Sequence, residues 1–261
     1  MTCLRPADHD VIGIRAANPG PLTLSGTNSW IVGRDPAWLI DPGPLLEAHL
    51  AALQDALDAR GGLGGVALTH DHVDHSAAVG EVRRRHPDVP LAAARGEVDV
   101  HLCDGDGFGP LRALSLPGHA PDHLVLLAGP VAFTGDAVLG EGSVFIAPDP
   151  GALSGYLAGL RRLREQRPAV LCPGHGPIVT DPQSKLDEYI GHRLDRERRL
   201  LAALAEGRRS VEELLDRAWA DAPPELRAIA AITLAAHLDK LEDEGRLPAG
   251  VERPERWLGE A

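Results

Sequence analysis

The sequence predicts an α+β protein in which two sheets pack face to face, with helices outside them and a smaller helical domain at the C-terminus. Between about residues 10 and 180, short apolar runs alternate with Gly/Pro turns. Helical patterns interrupt these runs only at intervals, so strands outnumber helices. After about residue 183, apolar residues recur at helical spacing instead. This order favours a sheet sandwich over a doubly wound parallel sheet.

The strand candidates are rich in Val, Ile, Leu and Trp and are bounded by turn residues. In chain order they cover residues 11–14, 29–32, 38–40, 65–68, 90–93, 112–116, 123–127, 131–134 and 170–172. The helix candidates in the same region are residues 45–60, 76–86 and 152–167. We expect these helices to cover the outer faces of the sheets.

A change in sequence character predicts a domain boundary near residue 183. Residues 184–205 form a long helix rich in Leu, Arg and Glu, and residues 211–220 form a second. A third begins after Pro223 and Pro224, and Gly245 ends it. A short hairpin across residues 245–257 would complete a small winged-helix-like module. We therefore divide the chain into residues 1–183 and 184–261.

Composition and charge exclude several classes of protein. The formal net charge of −12 argues against non-specific binding of nucleic acid or anionic membranes. Cys3, Cys103 and Cys172 are odd in number and far apart, which predicts no disulfide framework. We find no export signal, in which a basic segment is followed by an apolar one, and no run of apolar residues long enough to span a bilayer. These observations predict a cytoplasmic protein with no membrane partner.

The densest chemical signal is the run His-Asp-His-Val-Asp-His at residues 70–75, directly after a candidate strand. His70 and His72 alternate along an extended backbone, so their side chains point the same way. Asp74 lies in the following turn, and His75 begins the next helix. Imidazole nitrogens and carboxylate oxygens suit zinc or a similar divalent ion. One ion can take the first two residues and a second ion the other two.

Three more residues are suited to complete these sites. His119, Asp136 and His175 each follow a candidate strand and lie in a Gly/Pro turn. Functional side chains commonly occupy such turns, because the strands before them form a rigid scaffold.

The order His-x-His-x-Asp-His, Pro-Gly-His, Thr-Gly-Asp and Pro-Gly-His-Gly resembles the metallo-β-lactamase superfamily. The resemblance implies a four-layer αββα sandwich with a dinuclear zinc site at one edge of its two sheets. It implies two Zn²⁺ per chain, with Mn²⁺ or Fe as alternatives. Carried onto this sequence, the first ion is held by His70, His72 and His119, the second by Asp74, His75 and His175, and Asp136 bridges them.

A second resemblance extends towards both ends of the chain. Residues 26–33, the pair His192-Arg193 and residues 237–247 resemble the beta-lactamase-like protein 2 group, whose members carry a C-terminal winged helix. Single-stranded RNA cleavage is an activity known in that group, and related chains act as thioesterases in polyketide pathways. An aspartate at the bridging position, together with the missing export signal, argues against a true β-lactamase.

These features predict a zinc-dependent hydrolase in which a hydroxide between two ions attacks the substrate. Asp74 and His72 are the predicted catalytic residues, with Asp74 orienting the nucleophile and relaying its proton. The acidic surface and the acidic third helix favour an ester, thioester or lactone, either small or carrier-bound. A single-stranded RNA endonuclease is the alternative. The C-terminal domain is then a lid or wall over the site, or the surface of a homodimer.

Other interpretations remain open at this level. A non-catalytic regulator would use the winged helix for binding, although the complete ligand set argues against it. A redox role with iron would normally require a flavin-type domain, which we do not find. Arg193, Arg196, Arg198 and Arg199 form either a solvated helix face with ion pairs or a surface that grips phosphate. Asp71 and His123 are candidates for orienting the ligands.

Overall fold

In the computed structural model, which describes residues 2–6 and 9–254, two sheets pack face to face. The seven-stranded sheet follows chain order: β1 (Thr2–Leu4), β2 (Val11–Arg15), β3 (Asn28–Val32), β4 (Ala37–Ile40), β5 (Leu63–Ala67), β6 (Leu91–Ala93) and β7 (Val100–His101). The pairs from β1 to β4 are antiparallel. From β4 to β7 they are parallel, so these strands end at the same edge.

The five-stranded sheet has the order β12-β11-β10-β9-β8. Its strands are β8 (Gly107–Phe108), β9 (Leu111–Ser115), β10 (Leu124–Ala128), β11 (Val131–Gly135) and β12 (Val170–Pro173). Only β11 and β12 pair in parallel. The structure confirms every strand candidate. The strands that the sequence did not indicate, β1, β7 and β8, are two or three residues long and are too short to show an alternating pattern.

Four helices lie in the first part of the chain: α1 (Glu47–Asp58), α2 (Val73–Ser76), α3 (Val79–Arg85) and α4 (Ala152–Glu165). The prediction of one continuous helix over residues 76–86 is wrong. The helical segment begins earlier, at Val73, and divides after Ser76. The division occurs where the backbone N–H of Ala78 donates to the carbonyl of Gly43, which fixes this buried residue against the loop after β4.

The strand alternation divides the apolar residues among three layers of core. In β3, Trp30 and Val32 face the other sheet, while Ile31 faces α1 and α3. In β11, Phe133 packs between the sheets and Ala132 faces α4. This alternation is the two-residue period of a strand buried on both faces. The four-layer αββα arrangement expected from the sequence is therefore confirmed.

The rest of the described chain is helical: α5 (Pro182–Ala205), α6 (Val211–Ala218), a 3-10 helix (Pro224–Leu226) and α7 (Arg227–Asp243). Asp181 caps α5 by accepting from the N–H of Ser184, and proline occupies the first helical turn. The first part of α5 packs on α4 and the five-stranded sheet, and its last turns pack on α6 and α7. Because α5 contributes to both cores, the boundary near residue 183 stays a prediction.

The hairpin expected after Gly245 is not present in the described part, since residues 246–254 contain no strand. This segment bonds to the start of α6 instead of to itself. The N–H of Glu252 donates to the carbonyl of Arg209, and its carboxylate accepts from the N–H of Val211. Residues 255–261, where the hairpin would end, lie outside the described residues.

Within the described residues, no helix combines the length and apolarity needed to cross a bilayer. The cytoplasmic location and the homodimer stay predictions.

Candidate metal centre

All seven residues proposed as ligands meet at the edge of the sandwich where β5, β11 and β12 end. His70 lies in the loop after β5, and His72 is the N-cap of α2, which carries Asp74 and His75. Asp74 is thus helical, not in a turn before the helix. The other three lie in loops: His119 between β9 and β10, Asp136 directly after β11, and His175 just after β12.

The first group consists of His70, His72 and His119, whose ligand atoms all lie within 4.8 Å of one another. His119 Nε2 is 3.0 Å from His72 Nδ1. The imidazoles of His70 and His119 are buried, and that of His72 is half-buried. Two ring nitrogens at this distance face each other most favourably when a cation lies between their lone pairs.

The second group consists of Asp74, His75 and His175. His175 Nε2 lies 3.2 Å from Asp74 Oδ2 and 3.4 Å from His75 Nε2. Asp74 Oδ2 and His75 Nε2 are also 3.4 Å apart. This group therefore offers two imidazole nitrogens and one carboxylate oxygen to a common point.

Asp136 lies between the two groups. Its Oδ2 atom is 3.3 Å from His175 Nε2 and 3.6 Å from His119 Nε2, so one carboxylate oxygen reaches both. Its Oδ1 atom is 3.4 Å from His75 Nε2. Oδ1 is buried and accepts no hydrogen bond from the described residues. This placement suits a residue that bridges two ions.

The hydrogen bonds on the far side of the rings fix which nitrogens point into the site. His75 Nδ1 donates to Asp41 Oδ2 at 2.9 Å, because a carboxylate only accepts. Thr69 Oγ1 donates to Asp41 Oδ2 at 2.7 Å, so it accepts from His70 Nδ1 at 3.0 Å. His70 Nε2 is then an unprotonated, buried nitrogen with no hydrogen-bond partner among the described residues. Both rings therefore direct a lone pair into the centre.

The same logic applies to the other two buried rings. His119 Nδ1 faces the carbonyl of Phe145, and His175 Nδ1 faces the carbonyl of Gly26, each at 3.4 Å. Carbonyl oxygens accept only, so Nδ1 of each ring carries a proton and Nε2 is the atom that faces the centre. A buried set of imidazole nitrogens and carboxylate oxygens fits divalent ions.

The electrostatics agree with this assignment. Burial lowers the pKa of His175, but Asp136 and Asp74 outweigh that effect and raise it to about 9. Burial lowers the pKa of His119 to about 4. Desolvation raises the pKa of Asp74, but the hydrogen bond with His175 and the charges of His75 and His175 together outweigh it and lower the pKa to about 2. The carboxylates thus remain ionised and attract positive charge into the centre.

Asp41 and Thr27 are the important residues that sequence reasoning missed. Asp41 follows β4 directly and, with a φ of 51°, turns its buried carboxylate towards Thr69 and His75. Thr27 Oγ1 donates to Asp74 Oδ2 at 3.0 Å. The available signal was a lone aspartate at the end of an apolar strand, before Pro42 and Gly43.

The two residues suggested to orient the proposed metal ligands, His123 and Asp71, differ in what they contact. His123 Nε2 accepts from the backbone N–H of Asp136 at 3.1 Å, which supports the assignment. Asp71 is exposed, and its backbone carbonyl, not its carboxylate, accepts from the hydroxyl of Ser76. Asp71 therefore does not orient the ligands through its side chain.

Two family models match the chain. The model for the metallo-beta-lactamase superfamily matches residues 22–108 and 97–175, which include all seven residues of the centre. The chain belongs to this superfamily. The model for the beta-lactamase associated winged helix domain matches residues 210–257. Membership in the metallo-beta-lactamase superfamily makes the protein a hydrolase whose fold implies a divalent metal.

Several proteins are similar to this chain over most of its length. A "beta-lactamase-like protein 2 homolog" from Caenorhabditis elegans is 30% identical over 95% of this chain and 90% of its own length. An "atrochrysone carboxyl ACP thioesterase" from Aspergillus chevalieri is 34% identical over 76% of this chain and 67% of its own. A beta-lactamase domain protein from Burkholderia ambifaria has the same fold, with a TM-score of 0.79 over 95% of this chain and 91% of that one at 20% identity.

The candidate metal centre lines a cavity of about 450 Å³, to which His72, Asp74, His119, Asp136 and His175 contribute. The walls are mostly apolar, and they include the side chains of Leu22, Leu24, Val73, Leu139, Val144 and Phe145. Leu226 and Ile229, from the C-terminal part of the chain, complete them. Leu22 and Val73 are more than half exposed at 53% and 61%. The cavity thus has an apolar opening to solvent.

The charged residues around the cavity are acidic. Glu141 joins Asp74 and Asp136 in its lining, and none of the described residues that line it is Lys or Arg. Arg193 and Arg196, considered above as part of a solvated or phosphate-binding face, are instead buried. Arg193 donates to the carbonyl of Val144, and Arg196 pairs with Asp221.

Proposed function

We propose that this protein is a zinc-dependent hydrolase with two metal ions per chain that acts on esters or thioesters with an apolar acyl group, free or carrier-bound. The observation that carries the proposal is the cavity. A cluster of nitrogen and oxygen ligands lines a mostly apolar space to which no Lys or Arg of the described residues contributes.

The proposed ligands form two groups, one for each ion. His70, His72 and His119 would hold one ion, Asp74, His75 and His175 the other, and Asp136 would contact both. When bound, these ions supply Lewis acidity, which polarises a carbonyl group and lowers the pKa of water. The chain's own part is to hold the ligand atoms within one small volume before substrate arrives, so little reorganisation accompanies the reaction.

Asp74 has a second proposed role. Its pKa near 2 keeps it ionised, so it acts as a hydrogen-bond acceptor for the attacking water rather than as a strong base. Thr27 donates to Oδ2 and thereby fixes the carboxylate in place. His72 is half-buried, as Asp74 is, and both line the cavity. Both residues are therefore placed to contact a bound substrate.

Two observations support an acyl substrate over a polyanion. Apolar walls gain free energy from contact with alkyl or aromatic groups. A phosphodiester backbone would instead meet Glu141 and a chain of net charge −12, with no Lys or Arg among the described residues that line the cavity. The relative named as an acyl carrier thioesterase supports the carrier-bound form of the substrate.

The test compares two substrates with one preparation of zinc-loaded protein. We expect hydrolysis of an octanoyl thioester of N-acetylcysteamine, and no cleavage of a labelled single-stranded RNA. The Asp74→Ala variant, with its folding confirmed by circular dichroism, should lose the thioester activity. RNA cleavage that disappears in Asp74→Ala would overturn the choice of substrate and identify a nuclease.

A further inference from the structure

Leu226 and Ile229 occupy unusual positions for large aliphatic residues. Leu226 ends the 3-10 helix, and Ile229 lies in the first turn of α7. Both are half-buried, and neither belongs to the apolar core that α5, α6 and α7 form among the described residues. Both side chains instead line the cavity over the metal centre.

The same two residues also line a second, smaller cavity of about 190 Å³. Val144 and Phe145 line both cavities as well. Side chains that contact both spaces must lie between them. Leu226 and Ile229, together with residues 144–145, therefore form a partition between the metal-centre cavity and the space behind it.

The partition lies close to the reacting centre. The ring of Phe145 packs against that of His119 in an edge-on arrangement, with 4.6 Å between the ring centroids. A substrate whose carbonyl group reaches the metal ligands would direct its acyl group along this wall. The space beyond is lined by Arg193, Arg196 and Asp221 beside Trp219.

We propose that Leu226 and Ile229 are specificity-determining residues that limit the length of the acyl group. The inference rests on the proposed acyl hydrolase function. Each added methylene gains contact with the apolar wall until the chain end meets the partition. Beyond that point, a longer chain must either leave the cavity or displace these side chains, and both cost binding free energy.

The experiment measures kcat and KM for N-acetylcysteamine thioesters of straight acyl chains from acetyl to dodecanoyl. In the unmodified protein we expect KM to fall about fourfold per added methylene up to a limiting length, and then to rise. The double variant Leu226→Ala, Ile229→Ala opens the partition, so the limiting length should increase. Ile229→Trp fills the cavity, so the limit should become shorter. In both, the change should appear as a shift of the chain length at which KM is lowest, not as an equal loss of activity for every thioester.

Leu194→Ala is the matched control, because Leu194 lies on α5, is 44% exposed and does not line either cavity. Its chain-length profile should equal that of the unmodified protein. If the two partition variants also keep that profile while they hydrolyse short thioesters, the inference is wrong. If the unmodified protein hydrolyses no thioester of any length, the proposed function fails instead.

Discussion

Asp41 connects the two halves of the metal centre through its two carboxylate oxygens. Oδ1 accepts from the N–H of Thr69, and Oδ2 accepts from the hydroxyl of Thr69 and from His75 Nδ1. Through Thr69 it also fixes the ring of His70. A single side chain therefore determines the ring orientation and proton position of one ligand in each group.

We expect Asp41→Asn to weaken metal binding about 10–100-fold, because its amide has only one acceptor oxygen and cannot replace both Oδ1, which accepts from the N–H of Thr69, and Oδ2, which accepts from His75. The measurement is zinc affinity by competition with a chromophoric chelator. Asp71→Asn is the control, since Asp71 is exposed and close in sequence to the same ligands. Equal affinities for the two variants would show that Asp41 does not orient the centre.

His49 provides a residue-scale prediction about pH. This histidine is buried beside Ser29, and burial lowers its pKa to about 4, below the value of about 6.5 in an unfolded chain. The unfolded state therefore takes up the proton first as the pH falls. The stabilisation is complete above pH 6.5 and is lost progressively towards pH 4.

Between pH 7 and pH 5 we expect His49 to account for a loss of about 2 kcal/mol in the free energy of unfolding. The measurement compares urea unfolding of the unmodified protein and of His49→Gln at both pH values. The other histidines contribute equally to both proteins, so their effect cancels in the comparison. A loss of the same size in both proteins would show that His49 does not cause it.

The ligand set could be predicted from the sequence because four of its members are adjacent and the others lie in distinctive Gly/Pro turns. Asp41 could not, because it is distant in sequence from His75. Their contact arises from the parallel pairing of β4 and β5, in which Ile40 is opposite Ala67. Residues that follow these two positions emerge at the same sheet edge, and only the strand register makes that visible.

At the scale of elements, the irregular segment of residues 139–147 connects the metal centre to the C-terminal helices. Towards the centre, the N–H of Gly140 donates to the carbonyl of His175. Towards α5, the N–H of Leu139 donates to the hydroxyl of Tyr189, and Arg193 donates to the carbonyl of Val144. This segment has no strand or helix of its own, so side chains of α5 satisfy its backbone groups.

Replacing Arg193 with Met should lower the free energy of unfolding by about 1–3 kcal/mol. The substitution removes the donor to the buried carbonyl of Val144 and leaves that group unsatisfied. Denaturant titration measures the effect. Arg198→Met is the matched control, because Arg198 is exposed and pairs with Asp195 on the helix surface, and we expect less than about 0.5 kcal/mol there. Equal effects would show that Arg193 does not support the segment.

The periodicity of α5 identified the helix but not the separate environments of its arginines. The ion-pair interpretation is correct for Arg198 and Arg199, which pair with Asp195. A solvated position is wrong for Arg193 and Arg196, which are buried, although Arg196 does form an ion pair, with Asp221. Composition alone cannot distinguish these cases, because burial depends on which face of α5 meets residues 139–147 and α7.

At the scale of the whole molecule, the αββα sandwich positions the ligands and the C-terminal domain completes the cavity over them. The sandwich could be predicted because short apolar strands outnumber the dispersed helices before residue 183 and the histidine motifs resemble the superfamily. The contribution of Leu226 and Ile229 to the cavity could not, because it arises from the packing of α5 and α7 on the first domain. Helical spacing shows that residues are apolar, not which surface they face.

The number of ions that one chain needs for hydrolysis can be measured by adding zinc back to chelated protein. Thioester hydrolysis and bound metal are then measured together. We expect activity to reach its maximum at two equivalents of zinc per chain. We also expect Asp136→Asn to bind its metals more weakly and to lose most of that activity. Full activity at one equivalent of zinc, or in the chelated protein, would show that hydrolysis does not require two ions.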